Sequence, residues 1–309
     1  MTHLFIINPA AGSRDRTGIY TRQIQSVCAE KGLSYRIAVS ACPGDCTRLA
    51  REAAESGEAY RIYACGGDGT LNEVVQGVAG FDNVAVTVFS GGSGNDFTKI
   101  FDDPKAFYDL DRLTDAQETT FDLIDCNGQL SLNICSVGLD ARIGTDVSRY
   151  KRLPLLQGFW AYAASTVINV IRGVWEHYVV QVGEEVFDGK FTMICVCNGR
   201  YYGGGFNPIP EADPADGMLD VLVVEKVSRL KIASVVGKYK SGQYRQIGSV
   251  VQYRRTPSIT ICCDKQTPVN VDGELQMAQK VTMSISDKKL RFFYPKGLVW
   301  QQKVLEKVK

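Results

Sequence analysis

An N-terminal α/β domain built on a parallel sheet, followed by a mostly antiparallel β-sandwich domain, is the architecture expected of this sequence. Three observations point to it. Strand-like and helix-like segments alternate through about the first 120 residues. After residue 121 the pattern changes to strands separated by hairpin signals. A chain of 309 residues with 45% hydrophobic residues also has enough apolar material for two cores.

The first elements follow in order. "HLFIINP" is a strand, "GIYTRQIQSVCAEKG" a helix with a glycine stop, and "SYRIAVS" a strand. "GDCTRLAREAAESG" is a second helix closed by glycine. "YRIYACGG" is a strand, "TLNEVVQGVAG" a helix, and "NVAVTVFSGGSGNDF" a strand with a glycine-rich break. A βαβα order implies a parallel sheet covered by helices, and ligands bind such sheets at the carboxyl ends of the strands. The loops "NPAAGS", "CGGDGT" and "SGGSGNDF" all follow strands, so they are expected to converge on one crevice.

The second domain begins with "TFDLIDCNGQLSLNICSVGLDARI", read as strands around an Asn-Gly hairpin. Strands are also expected in "EHYVVQVGEEVFDGKFTMICVCNG", "GMLDVLVVEKV", "PSITICCDKQTPVNVDGE" and "KVTMSISDKKLRFFYP", with "SRLKIASVVGKYKSG" between them as a helix. Residues 153–171, "LPLLQGFWAYAASTVINVI", carry no formal charge. Pro154, Gln157, Gly158 and Asn169, with Arg172 directly after, argue for a helix with one broad apolar face over a membrane span. The last stretch, "GLVWQQKVLEKVK", reads as helical. The expected domains are 1–122 and 123–287, with 288–309 free to return to the first.

Composition excludes several classes. A net charge of +1 without long basic or acidic blocks gives no sign of a nucleic-acid partner. "MTHLFIINPAAG" lacks the basic and apolar regions of a signal peptide, so a cytoplasmic protein is expected. Cys65, Cys126, Cys135, Cys195, Cys197, Cys262 and Cys263 have apolar or strand-like neighbours and read as buried free thiols. Cys42 and Cys46 form the one suggestive pair, but two histidines in the whole chain give a zinc site little support.

The stretch "YACGGDGTLNEVVQG", residues 63–77, carries the most specific chemistry. Gly66, Gly67 and Gly69 are expected to permit positive φ and close approach of a ligand to the main chain. Leu71, Val74, Val75 and Val78 have helical spacing, and Thr70 and Asn72 suit a helix start. Free N–H groups and the helix dipole at such a junction attract phosphate. Asp68 repels phosphate unless a cation lies between, so it reads as a Mg²⁺ or water ligand, or as a general base. A tight βα turn without any ligand has the same local pattern.

Seven motifs occur together, in the order "INPAAGS", "SACPGDCTRLA", "GGDGTLNEVVQG", "GSGNDF", "LNICSVGLDARI", "NGRYYGGGFNPIPEADPADGMLDV" and "VDGE". Across about residues 4 to 275 this order resembles the diacylglycerol kinase catalytic superfamily, in its bacterial lipid-kinase branch, which is similar to sphingosine and ceramide kinases. "GGDGT" alone is shared with NAD kinases, which have a similar first domain of the NAD kinase/phosphofructokinase kind; "GSGNDF", "PEADPADGMLDV" and "DGE" separate the two. Ser90 and Ser93 stand where the family usually has Pro and Thr, and Ser40 where Thr is common. The hydroxyls at 40 and 93 are kept, whereas loss of the proline puts the rigidity of that loop in doubt.

The resemblance implies roles. ATP would lie across Asn8, Pro9, Ala10, Ala11, Gly12, Ser40, Gly66, Gly67, Asp68, Gly69, Thr70, Leu71, Asn72, Ser93 and Asn95. Asp68 would reach the phosphate–Mg²⁺ cluster, and Asn95 and Asp96 would shape the floor beneath it. Glu274 would be the general base, with Asp272 as the nearby alternative. A structural Mg²⁺ would use the Asp216 carboxylate and the carbonyls of Asp213 and Met218. Read from the residues alone, "VDGE" and "DPADG" are equally hairpin or Pro-Asp turns, and Arg14 and Arg16 are either solvated or phosphate-holding. The implied activity is transfer of the γ-phosphate of ATP to a lipid hydroxyl, diacylglycerol giving phosphatidic acid. The alternatives are an NAD kinase-like enzyme and an inactive nucleotide-binding regulator. The implied partners are a lipid substrate and, reversibly, the inner membrane face; a homodimer is compatible with the same reading.

Overall fold

The computed structural model describes residues 1–12, 14–91, 95–150, 169 and 173–300. The chain divides into two units, Met1–Leu123 with the return from Ser286 onward, and Ile124–Ile285.

In the first unit the strands β1 (Thr2–Ile7), β2 (Tyr35–Val39), β3 (Tyr60–Gly66) and β4 (Val84–Ser90) are parallel. Every residue of β4, "VAVTVFS", is buried, as expected of a parallel strand covered on both faces. β2 lies at the sheet edge and is largely exposed. The helices α1 (Thr17–Lys31), α2 (Asp45–Glu55) and α3 (Asp68–Val78) connect them. Gly32 closes α1 in the left-handed conformation at φ 62°. α2 and α3 pack closely because Gly77 has no side chain: a Cβ there would stand 2.6 Å from the Thr47 carbonyl oxygen.

The sheet order is β2-β1-β3-β4-β15-β5, where β5 is Ala116–Phe121 and β15 is Leu290–Pro295. The run "SISDKKLRFFYP", read from the sequence as strand, divides close to the point after which residues 288–309 are expected to be free to return to the first unit. Strand β14 (Glu274–Ile285) ends in the second unit, and β15 enters the first, parallel to β4 and antiparallel to β5. Phe292 and Phe293 are wholly buried there, and Phe292 packs with Phe97, Phe101, Phe107 and Phe121. A consecutive buried run suits the middle of a covered sheet, not a half-exposed strand. Trp300 bridges Phe101 in place of the expected helix start; 301–309 lie outside the described residues.

The second unit is antiparallel throughout its described pairings. The sheet order is β12 (Val251–Thr256), β11 (Leu219–Glu225), β10 (Glu185–Cys197), β8 (Ile134–Gly138), β13 (Ser258–Val271), β14, β6 (Ile124–Cys126), β7 (Gln129–Ser131), with β9 (Glu176–Val182) paired to both β10 and β13. β10 and β13 change partner from β9 to β8 at register shifts, which closes β10, β8, β13 and β9 into a ring. Alternation then makes two cores. Ile194, Val196, Val221 and Val223 face one; Cys195, Cys197 and Leu222 face the other. Asn127 and Gly128, both at positive φ, join β6 to β7 as the Asn-Gly signal requires.

"LDARI", expected as strand, is the start of helix α5 (Leu139–Tyr150). Gly138 at φ 105° ends β8, where a Cβ would meet the Thr192 carbonyl oxygen at 2.7 Å. Helix α6 (Arg229–Lys240) is capped by Ser228, whose hydroxyl accepts the Lys231 N–H. Helix α4 (Leu110–Thr114) is a single turn in the first unit. Among the described residues no helix is long and apolar enough to cross a membrane; the expectation for 153–171 falls outside them, save Asn169.

All ten cysteines are free. Cys262 is exposed, contrary to expectation, because it takes the outward position of β13 between buried Ile261 and Cys263. Burial pushes the Cys46 and Cys263 thiols up to about 11, which leaves them unreactive at neutral pH.

Candidate functional site

Three strand-end loops meet in the first unit. The Asn8 N–H donates to the Cys65 carbonyl at 3.2 Å, and the Asn8 side chain accepts from Ala10 N–H at 3.0 Å. Its amide donates to Thr70 Oγ1 at 3.1 Å, which fastens the loop after β1 to the first turn of α3. The loop after β4 joins them: Gly91 N–H reaches the Gly66 carbonyl at 3.4 Å, and Asp96 N–H donates to Asp68 Oδ1 at 2.7 Å. Asn95 donates to Ser90 Oγ at 2.8 Å, while its buried Oδ1 has no hydrogen-bond partner among the described residues. Lys99 pairs with Asp96. Ser93 lies outside the described residues.

The glycines act differently from expectation. Gly66, Gly67 and Gly69 are not at positive φ; Gly67 is extended at φ −119°, ψ −163° and caps α3. Space is the reason at Gly66, where a Cβ would stand 2.3 Å from Thr70 Oγ1 and 3.2 Å from the Ala11 Cβ. Gly69 has nothing within 4 Å. Thr70 and Asn72 do not cap α3 either, since that helix starts at Asp68 without a side-chain cap. Thr70 instead takes the Asn8 amide, and Asn72 accepts from Gln76. Asp68 at the helix N-terminus has a favourable dipole and a backbone donor, the Asp96 N–H.

Ser40 continues from β2, its N–H donating to the Ile7 carbonyl at 2.9 Å and its side chain bonding the Cys46 thiol. The N-terminus of α2 next to it is already satisfied. Glu73 Oε2 accepts from Gly44 N–H at 3.1 Å and Cys46 N–H at 3.2 Å. Glu73 was not legible as a cap, because it reaches α2 from another helix. Tyr20 was missed too; its hydroxyl lies where a Cβ on Gly91 would be, 1.7 Å away.

In the second unit "VDGE" is a two-residue hairpin turn. Asp272 at φ 49° and Gly273 at φ 95° connect β13 to β14. The Asp272 carboxylate accepts the backbone N–H groups of Leu132 at 2.7 Å, Asn133 at 3.2 Å and Ile134 at 2.8 Å. Burial pushes its carboxyl up against the effect of those donors. Asp272 therefore clamps the segment before β8. Glu274 opens β14, opposite Val271, and is exposed.

Asp213 and Asp216 share one turn. Asp213 accepts Ala215 N–H at 3.1 Å; Asp216 accepts Met218 N–H at 3.1 Å and pairs with Arg255 at 2.5 Å. Burial raises the Asp216 carboxyl, Arg255 lowers it, and Asp213 raises it. Arg255 supplies the positive charge here, so a cation would have to compete with it. Among the described residues no group of three or more His, Cys, Asp or Glu side chains is arranged to hold a metal.

A cavity of about 170 Å³ lies within the second unit, lined by Leu139, Asp140, Met193, Tyr202, Ile232 and Tyr239 among others. Among the described residues of this apolar lining, Asp140 is the one acid. It accepts from Ser136 Oγ at 2.7 Å and bonds the Tyr202 side chain, whose hydroxyl is 3.1 Å from that of Tyr239. Burial pushes the Asp140 carboxyl up. A lone acid inside "VGLDARI" was its one signal in the sequence.

The glycine loop and the antiparallel second unit define a kinase-type nucleotide domain joined to a β-sandwich-like domain. Residues 2–126 match the diacylglycerol kinase catalytic domain, and residues 133–294 match the YegS C-terminal NAD kinase beta sandwich-like domain. The chain belongs to the diacylglycerol kinase catalytic superfamily, in its lipid-kinase branch. A relative from Staphylococcus haemolyticus (strain JCSC1435) is 28% identical over 280 residues, 89% of each chain. One from Staphylococcus aureus (strain JH9) is 26% identical over 273 residues, 87% of this chain and 88% of its own. Both bear the name "Putative lipid kinase". The crystal structure of a diacylglycerol kinase from Bacillus anthracis str. Sterne has a TM-score of 0.68 at 20% identity, covering 96% of this chain and 98% of that one. At that identity the likeness shows the fold.

Proposed function

We propose that this chain is an ATP-dependent lipid kinase that transfers the γ-phosphate to the hydroxyl of a diacylglycerol-like lipid. The observation that carries the lipid half is the apolar cavity with a single buried acid, Asp140, in a chain whose first unit is of the diacylglycerol kinase catalytic type. Acyl chains suit its walls, and Asp140 places one polar group among them.

The nucleotide half rests on the joined loops. Gly66 keeps the space between Ala11 and Thr70 closed and ordered, and α3 presents its N-terminus beside them. The unpartnered Asn95 Oδ1 is an acceptor suited to a ligand donor. These residues fit a nucleotide with its cation, which Asp68 would hold; Mg²⁺, when bound, neutralises phosphate charge. Glu274 accepts the proton of the lipid hydroxyl as its oxygen bonds to the γ-phosphorus and the bond to the β–γ bridging oxygen breaks, releasing ADP. The exposed start of β14 leaves this carboxylate available. A second ion at Asp216 would require displacement of Arg255.

The test is incubation of the purified chain with ATP, Mg²⁺ and an extracted lipid pool, read by mass spectrometry. Phosphatidic acid is the expected product. Phosphorylation of NAD in place of any lipid would overturn the assignment.

A further inference from the structure

The helix that walls the cavity also carries an unusual outer face. Between Glu225 and Asp264 the chain has eight Lys or Arg and no Asp or Glu. Arg245 is neutralised by Glu211, Arg254 by Glu185 and Arg255 by Asp216. Lys231 and Lys238, on α6, are exposed and have no ion-pair partner among the described residues; Lys226 lies over the Trp175 ring and Lys240 over the Phe206 ring.

Apolar exposure coincides with this charge. Leu230, in the first turn of α6, is 87% exposed, and Val236 is 42% exposed. Val236 also lines the cavity with Ile232, Val235 and Tyr239, so one helix presents lysines to solvent and apolar groups to the cavity. Exposed Val236 marks the side on which the cavity wall reaches the surface.

We infer that α6 is a docking element for an anionic lipid surface, which seats Leu230 in the acyl boundary with Lys231 and Lys238 beside it. This rests on the lipid-kinase assignment. Lysines near an anionic leaflet are attracted by its surface potential, and an apolar side chain that enters the interface removes its area from water. The charge complementarity names the occupant: a surface rich in acidic headgroups.

The test is flotation of the full chain with phosphatidylcholine vesicles, with and without phosphatidylglycerol, for the parent, Leu230→Glu and Lys231→Glu/Lys238→Glu. The parent is expected to bind only the anionic vesicles, and each variant to lose at least about tenfold in binding. Melting temperature and activity on monomeric short-chain diacylglycerol should be unchanged, since none of these side chains lines the cavity. Equal flotation of parent and variants, or no preference for anionic vesicles, would overturn the docking role. So would variants that lose self-association in light scattering yet float like the parent, which would make this face a contact between copies. A chain that floats as expected but phosphorylates no lipid would overturn the kinase assignment alone. One that phosphorylates lipid while its variants float unchanged would overturn the docking role alone.

Discussion

The Asp68 carboxylate, on the first residue of α3, accepts the backbone N–H of Asp96 at 2.7 Å and so ties the glycine loop to the loop after β4. Asp68→Asn keeps an acceptor oxygen for that N–H and removes the charge. Its stability should stay within about 1 kcal/mol of the parent. Its turnover should fall at least about a hundredfold, the scale of losing one charge-stabilising group. Steady-state kinetics with thermal denaturation separates the two effects. Near-normal turnover would remove the Asp68 charge from the mechanism.

Two neighbouring glycines should respond in opposite ways. Gly66→Ala places a methyl 2.3 Å from Thr70 Oγ1 and should cost about 1–3 kcal/mol of stability. Gly69→Ala meets nothing within 4 Å inside a helix and should stabilise by about 0.5–1 kcal/mol. Nucleotide affinity can then be read by calorimetry on the stable Gly69 variant, where a loss of about tenfold or more is expected. Unchanged affinity would mean that the first turn of α3 does not face the nucleotide.

Asp272 and Glu274, two residues apart, should separate structure from chemistry. Asp272→Ala leaves three backbone donors without their carboxylate and should cost about 3 kcal/mol or more. Glu274→Gln, at an exposed strand start, should change stability by less than about 0.5 kcal/mol. It should lower kcat by about 10²–10⁴-fold with ATP affinity kept. Weaker ATP binding with kcat intact would make Glu274 a residue that shapes the nucleotide site.

Much of this was legible because it depends on local order. Strand–glycine–helix junctions in βαβα succession place their loops at one sheet end, and the bonds Asn8–Thr70 and Asp96–Asp68 join those loops. The hairpin at Asn127-Gly128 was equally local. What escaped depends on distant partners. Gly66 is required by the Thr70 and Ala11 side chains, which no backbone preference at position 66 reveals. The sequence leaves β15 free to return to the first unit, but its place between β4 and β5 depends on those distant strands. Asp272 looks like a turn residue from sequence and becomes a clamp only beside residues 132–134.

Asp220 supplies a pH dependence. Burial lifts its carboxyl to about 6, although Tyr253, which donates to it at 2.5 Å, and Arg255 both pull it down. The folded state therefore holds this proton more tightly than the unfolded chain, whose carboxylates titrate near 3.9. The stability it contributes is complete below about pH 4 and is lost as pH rises through about 6. Asp220→Asn keeps an acceptor for Tyr253 and removes the ionisation. The variant should gain on the parent as pH rises from about 4 to about 6, by on the order of 3 kcal/mol at most. A constant difference in melting temperature across that range would show that Asp220 does not titrate there.

The central claim is transfer of phosphate from ATP to a lipid hydroxyl. It is tested most directly with ATP labelled at the γ-position, offered with mixed micelles of diacylglycerol, with NAD, and with no acceptor, to the parent and to Glu274→Gln. Label is expected in phosphatidic acid from the parent, little from the variant, and none in NADP. Label in NADP, or release of labelled phosphate with no lipid product, would contradict it.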